Sequence, residues 1–445
     1  MIQKEKVIMS TIVTVVVPSY NSEKVIGQCL DSILAQTFQD FEIIVVDDGS
    51  TDGTVETANE YAKKDRRIKV VPKEHENAGV SRNVGLDMAE GEYIVFWDSD
   101  DFFEPNALEL LYNKCKEDDA DICICDAWHY NDRIGVRVRG KKNNYIYVPE
   151  EIPYNRKTVQ KYILNISNNV PWNKMFRLAF IREKGIRFQS IEKANDALFV
   201  MSSMALADRI TIIEDMLINW RMNQENSTTT DKKRNPMCVF KAFETTKEFL
   251  EQKGVYEEVK QSFINRAVDS YLYALKCQKN PENPDGFRMM YDYIRNEAFK
   301  KLGVDNLERS YIYKENKADL LSKVTDGSYE EYILWREEVE SEAAIRRFEK
   351  KERSMQKQYD KLQARYNKLY AKNERLNQKY ERMKNSFAYR VGMKVTWLPR
   401  KINALINGKP DTTEKEQEEV IENEVENIID NEPDAVENDS ENDGM

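Results

Sequence analysis

The sequence predicts an α/β protein: a Rossmann-like N-terminal domain with a mainly parallel sheet, then a helical domain, then a C-terminal coiled coil. Three observations carry this. Over the first hundred residues, short β-branched runs alternate with one-sided helical stripes, the pattern of a parallel sheet covered on both faces. From about Asn235 to Glu338 apolar residues recur at helical spacing without strand signals. Residues 345–387 carry a heptad repeat. A chain of 445 residues is long for one domain. The expected boundaries are 11–232 for the α/β domain, 233–340 for the helical domain and 341–388 for the coiled coil. A basic amphipathic segment (389–408) and an acidic disordered tail (409–445) follow.

The first strand is Thr11 to Val17, a continuous β-branched run that reads as buried on both faces. Pro18-Ser19-Tyr20-Asn21 breaks it, and Asn21 or Ser22 can cap the helix that follows. That helix puts Val25, Ile26, Cys29, Leu30, Ile33 and Leu34 on one side. Phe41 to Val46 is the second strand and runs into Asp47-Asp48-Gly49-Ser50-Thr51-Asp52-Gly53. A helix over Thr54–Lys63, a strand over Arg67–Val71 and a helix over Gly79–Ala89 come next. Glu92 to Trp97 is the fourth strand, and it ends in Asp98-Ser99-Asp100-Asp101.

In such sheets ligands bind beyond the carboxyl ends of the strands. Three of those ends carry Pro18-Ser19-Tyr20, Asp47-Asp48 and Asp98-Ser99-Asp100, so polar groups converge on one edge. Clustered carboxylates repel and raise one another's pKa. A hard divalent cation relieves this and also binds phosphate oxygens. The competing reading is a polar turn after each strand. There is no GxGxxG and no GxxxxGK[ST], which argues against dinucleotide and P-loop chemistry.

These segments, with Leu30-Asp31-Ser32-Ile33-Leu34-Ala35-Gln36-Thr37-Phe38 and Ala78-Gly79-Val80-Ser81-Arg82-Asn83-Val84-Gly85, resemble family 2 glycosyltransferases, densely over residues 11–105. The resemblance implies the GT-A fold. It also implies an inverting sugar transfer from a nucleotide-diphosphate sugar, usually with Mn or Mg. Pro18 and Tyr20 would then line the donor nucleotide, Tyr20 offering a flat face for the base. Asp48, which the resemblance favours over Asp47, would accept a uracil N–H. Arg82 would hold base or phosphate. Asp98 would reach the ribose or a metal-bound water, and Asp100 would be the direct metal ligand.

The next segments match more loosely. Asn106–Glu117 reads as a helix, Ala120–Ala127 as a strand and residues 131–155 as a loop over the site. Pro171-Trp172-Asn173-Lys174-Met175-Phe176-Arg177 and Gly185-Ile186-Arg187-Phe188 resemble the stretch that precedes the family's base. An inverting transfer needs a carboxylate to take the acceptor proton. The family pattern Glu-Asp-x-x-aromatic appears here as Asn195-Asp196-Ala197-Leu198-Phe199, with Asn in the Glu position. Asp196 is the expected base, with Glu192 the alternative. A cap for the following helix is the structural alternative for Asp196. Ile218-Asn219-Trp220-Arg221-Met222-Asn223 and then Ser227 resemble the segment closing the acceptor side, where Arg221 would steady the diphosphate.

The heptads place Tyr359, Tyr366 and Asn373 at a, and Leu362, Leu369 and Leu376 at d. They predict a homo-oligomer, with Asn373 favouring one register and a low oligomer state. The stretch from Phe387 to Lys401 is apolar and basic, contains Trp397 and has no acids, which suits contact with anionic lipid.

Charge and cysteine content bound the rest. The net charge is −11, of which residues 411–445 hold −14 (fifteen acids, one Lys), leaving about +3 elsewhere. Nucleic acid is therefore not an expected partner. The six cysteines form no CxxC pair and there are two histidines, so buried thiols are expected rather than a zinc site. No run is long enough to span a membrane, and Val7–Val17 reads as a strand rather than a signal peptide. The expectation is a cytoplasmic enzyme, with peripheral contact at the inner face of the membrane. It would move a sugar, more plausibly from UDP than GDP, to a polysaccharide or lipid-linked acceptor. The alternative is a non-catalytic nucleotide-sugar-binding scaffold assembled through the coiled coil. A nucleotidyltransferase would need a Gly-rich phosphate loop, which is missing.

Overall fold

The structure is a computed structural model and describes residues 11–140, 143–222, 235, 237–278, 284–304, 308–386 and 390–392. The chain divides into two compact units, residues 1–332 and 333–445.

The first unit is built on a nine-stranded mixed sheet. Its parallel half holds β1 (Val13–Ser19), β2 (Phe41–Asp47), β3 (Ile68–Pro72) and β4 (Tyr93–Phe96), in the order β3-β2-β1-β4. Every residue of β1, β2 and β4 is buried, as expected of strands covered on both faces. Connecting helices α1 (Ile26–Leu34), α2 (Thr54–Lys64) and α3 (Ala78–Met88) supply the cover. Helix α3 lies so close to β1 that a Cβ on Gly85 would sit 2.3 Å from Val16 Cγ1.

Asn21 and Ser22 do not cap α1. The helix begins at Ile26 with no side-chain cap. Asn21 instead adopts φ 49° and accepts from the Thr51 amide at 2.8 Å, while the Ser22 amide donates to Oγ1 of Thr54, the first residue of α2, at 2.7 Å. The loops after β1 and β2 are thereby stitched together.

The other half of the sheet departs from the parallel expectation. It holds β5 (Phe102–Phe103), β6 (Ile122–Asn131), β7 (Val136–Arg139), β8 (Lys174–Arg177) and β9 (Ile210–Met222). Strand β8 runs antiparallel between β4 and β6. Its four residues are too short a run for the period of two to announce itself. Residues 131–155, expected as a loop, form β7 beside β6 and a short turn of helix at Tyr145–Tyr147. Helices α4 (Ala107–Glu117), α5 (Leu178–Lys184) and α6 (Asp196–Leu206) complete this part. Cys29, Cys115, Cys123 and Cys125 are buried free thiols.

The helical portion follows: α7 (Cys238–Gln252), α8 (Tyr256–Cys277), α9 (Pro284–Tyr293), the short α10 (Phe299–Lys301) and α11 (Glu315–Thr325). Phe240, Phe243, Phe263 and Tyr271 form its buried aromatic core.

Helix α12 (Tyr329–Lys384) supplies the described part of the second unit. Its heptad residues Phe348, Leu362 and Leu369 are 65–70 % exposed. The end of the predicted coiled coil, Ser227, the acidic tail and the basic segment apart from residues 390–392 lie outside the described residues. Among the described residues no helix is long and apolar enough to cross a membrane.

Candidate active site

Parallel register builds the site. Ser19 pairs with Asp47, and the Trp97 amide donates to the Val16 carbonyl at 3.0 Å. The loops after β1, β2 and β4 therefore leave the sheet at one edge.

The loop after β2 and the segment after β3 form the first cluster. Asp47 is a turn former: Oδ2 accepts the Ser50 amide at 2.9 Å and Oδ1 the Ser50 hydroxyl. Asp48 faces the other way. Its Oδ1 accepts Lys73 Nζ at 2.7 Å, the Glu76 amide at 3.1 Å and Ser81 Oγ at 3.3 Å. Its Oδ2 lies 2.9 Å from His75 Nδ1 and accepts no other hydrogen bond from the described residues. A carboxylate oxygen accepts about two bonds, so Oδ2 keeps capacity for one more donor. His75 also stacks under Tyr20, with centroids 4.3 Å apart, and Tyr20 remains half-exposed above it. Gly49 makes this possible. Its φ is +74°, and a Cβ there would meet the His75 amide nitrogen at 2.9 Å. Pro18 is buried at the end of β1, paired with Val46 beneath this platform.

The loop after β4 forms the second cluster. Ser99 is buried and pinned to Ser22 by a 2.9 Å hydroxyl contact. One oxygen each of Asp98, Asp100 and Asp101 lies within 4.8 Å of the others. Burial and the neighbouring Asp98 push the Asp100 carboxyl up to about 6. Burial and Asp100 raise Asp101 as well. Asp101 Oδ1 accepts the Arg221 amide at 2.8 Å, while its buried Oδ2 has no hydrogen-bond partner. Crowded hard-oxygen donors with raised pKa values and an orphaned oxygen fit a divalent cation.

Arg82 ties this loop to α6. Its Nη2 donates to Asp98 Oδ1 at 2.6 Å and its Nη1 to Asp196 Oδ1 at 2.8 Å and Asn195 Oδ1 at 3.1 Å. The guanidinium is buried and puts both Nη atoms on side chains of the site, while its Nε has no hydrogen-bond partner among the described residues. Asp196 is the first residue of α6, yet it caps nothing. Its Oδ1 is on Arg82, and its Oδ2 has no hydrogen bond to any described residue. Burial raises its carboxyl to about 6, with Arg82 pulling down and Asp98 pushing up. Glu192 is not part of this clamp and accepts from Asn235 Nδ2.

Arg221 is anchored within the fold as well. It is buried and fully engaged, with Nε on the Asp100 carbonyl at 2.8 Å, Nη1 on Asp132 and Nη2 on Gln28. It braces the carboxylate loop from behind. Sequence reading also missed Lys174, the largest buried charge beside the clamp. It is held by the Asn168 and Val170 carbonyls at 3.0 and 2.8 Å and by Asn173 Oδ1 at 2.8 Å, with burial pulling it down to about 7.

Residues 14–184 match the model of glycosyl transferase family 2. Glycosyltransferase GlyG of Streptococcus pneumoniae is 32% identical over 234 residues, covering 50% of this chain and 75% of that protein. This chain belongs to glycosyl transferase family 2. The glycosyltransferase is also 29% identical to the putative glycosyltransferase EpsH of Bacillus subtilis over 288 residues, 64% of this chain and 81% of EpsH. Among solved structures, Staphylococcus aureus TarS 1–349 in complex with UDP-GlcNAc superposes with a TM-score of 0.56 at 23% identity, covering 72% of this chain and 89% of that one. That likeness is one of fold, and it extends to the GT-A sheet and the helices after it.

Proposed function

We propose that this glycosyltransferase moves a hexose from a nucleotide-diphosphate sugar, with inversion, to a hydroxyl of a polysaccharide or lipid-linked acceptor. The observation that carries the reading is the Arg82 clamp, which fixes one oxygen of Asp98 and one of Asp196 on a single guanidinium. The carboxylate beside the donor and the carboxylate beside the acceptor are thereby held at a fixed separation.

The donor base stacks on Tyr20, backed by His75, and Asp48 Oδ2 accepts an N–H of the base. Asp98 and Asp100, with Asp101 beside them, are the residues that would hold Mn or Mg, whose chemistry is to neutralise the diphosphate as it leaves. Asp196 Oδ2 takes the acceptor hydroxyl's proton as the oxygen attacks the anomeric carbon. A base titrating near 6 is ionised at neutral pH and still basic enough to draw the proton. Asn195 supports catalysis rather than scaffolding. Its amide oxygen serves Arg82 as a Glu would, without a third negative charge on one buried cation. The exposed heptad face of α12 supports assembly of the enzyme as a coiled-coil homo-oligomer.

Relatives support the hexose and the acceptor class. A Bacillus spizizenii relative, 28% identical over 294 residues, is named a poly(ribitol-phosphate) beta-glucosyltransferase, and a Borreliella burgdorferi relative, 28% identical over 273, a cholesterol galactosyltransferase. The test is calorimetric titration of UDP, GDP and dTDP with and without Mn, on the full chain and on Asp100→Ala. Mn-dependent binding of one nucleotide, lost in the variant, supports the reading. Metal-independent binding of equal strength in both proteins would refute the carboxylate site.

A further inference from the structure

We infer that the first unit contains a second carbohydrate site, for an acidic oligosaccharide, in a cavity of about 590 Å³ between the β6–β7 hairpin and α8. None of its lining residues belongs to the clamp or the carboxylate loop.

Its chemistry is that of a glycan pocket. The side-chain amides of Asn144 and Asn168 line it and make no hydrogen bond to any described residue. These are unspent donors and acceptors of the kind that pair with hydroxyl groups. Tyr147 and Tyr313 line the same space. Both rings are braced by Tyr162, which stacks on Tyr147 at 4.4 Å and meets Tyr313 at 4.8 Å. Fixed aromatic faces with a polar edge suit the apolar face of a sugar ring.

Charge supplies the word acidic. Arg139, Arg266, Lys314 and Lys317 line the cavity with Asp126 and Asp269, and Arg139 also reaches Glu214 at 3.9 Å, which leaves a surplus of one positive charge. Lys314 and Lys317 share the single Asp269 carboxylate at 3.9 and 3.5 Å. The Arg266 guanidinium is fixed in the wall by the Leu164 and Ser167 carbonyls at 2.8 and 2.5 Å. A neutral glycan leaves that surplus uncompensated, and a carboxylate or phosphate on the sugar neutralises it.

The test is calorimetric titration of the full chain with a tetragalacturonate, a phosphorylated oligosaccharide and a neutral oligosaccharide of equal length, with inorganic phosphate as control. One or both acidic probes should bind at least tenfold more tightly than the neutral one. Whichever binds identifies carboxylate or phosphate as the acidic group. Lys314→Ala/Lys317→Ala, two helix-surface changes checked by circular dichroism, should weaken that binding at least tenfold, and Asp100→Ala should not. The inference is overturned if no acidic probe binds, if the neutral probe or phosphate alone binds as well, if the double variant binds unchanged, or if Asp100→Ala abolishes binding.

Discussion

Replacing Arg82 by Met is the sharpest test of the clamp, because Met keeps much of the side chain's apolar stem and removes the guanidinium, with its hydrogen bonds to both carboxylates and its place 5.4 Å over the Phe188 ring. The Arg82 side chain is 6 % exposed, and those of Asp98 and Asp196 are 27 % and 26 %. Breaking a buried pair by removing one partner costs about 3–5 kcal/mol. Partial exposure of both acids places the loss at about 3 kcal/mol, a melting point lower by roughly 4 °C for a unit of this length. The sign with pH follows from the charges. Without Arg82, burial leaves the Asp196 carboxyl still further above its value in the unfolded chain. The penalty is therefore present above the folded pKa of Asp196 and shrinks as pH falls and that acid protonates. Asp196 loses the stronger of the two cations, Arg82 and Lys174, that pull it down from its burial-raised position, so the acid limb of transfer should move up by about 1–3 pH units. Calorimetry at pH 5.5 and 8, and transfer rates from pH 5 to 9, measure both effects. A variant that melts within 2 °C of the parent at pH 8 and keeps its pH profile would refute the clamp.

Asp196→Asn should bind donor nucleotide normally and lose transfer by about 10²–10⁴-fold; equal loss of binding would move Asp196 from base to donor contact. In the parent enzyme the base form of Asp196 grows through pH of about 6, so transfer should fall tenfold per unit below that, and a rate flat to pH 5 contradicts the assignment. Gly85→Ala drives a methyl into Val16 and should destabilise by about 1–3 kcal/mol without changing donor affinity in the folded fraction, as read by urea unfolding and calorimetry. Deleting residues 345–384 should convert an oligomer to a monomer in sedimentation equilibrium; an unchanged mass removes the coiled-coil reading of α12.

The parallel half was legible because β1, β2 and β4 are fully buried. Val13 to Val17 and Phe41 to Val46 are β-branched and apolar apart from Thr14 and Glu42, and each is followed by polar residues that the parallel topology must deliver to one edge. The clamp was not legible. Arg82 and Asp196 are 114 positions apart, and nothing local distinguishes an Arg that holds phosphate from one that holds two carboxylates. The anchoring of Arg221 was hidden for the same reason, since its acceptors on α1, the β4 loop and Asp132 are all distant in sequence. A lone His75 carried no motif, and its place under Tyr20 depends on the left-handed turn at Gly49. The antiparallel β8 hid inside a four-residue run.

The position of β8 also bears on how the chain is made. Until residues 174–177 emerge from the ribosome, β4 has β1 on one side and no partner on the other. About eighty residues separate the two strands, which at typical synthesis rates is roughly 4–16 s of exposure for a fully apolar strand edge. Open apolar edges pair with whatever strand they meet. The nascent N-terminal half should therefore need chaperone cover during that interval, and shortened chains ending before β8 should aggregate rather than fold.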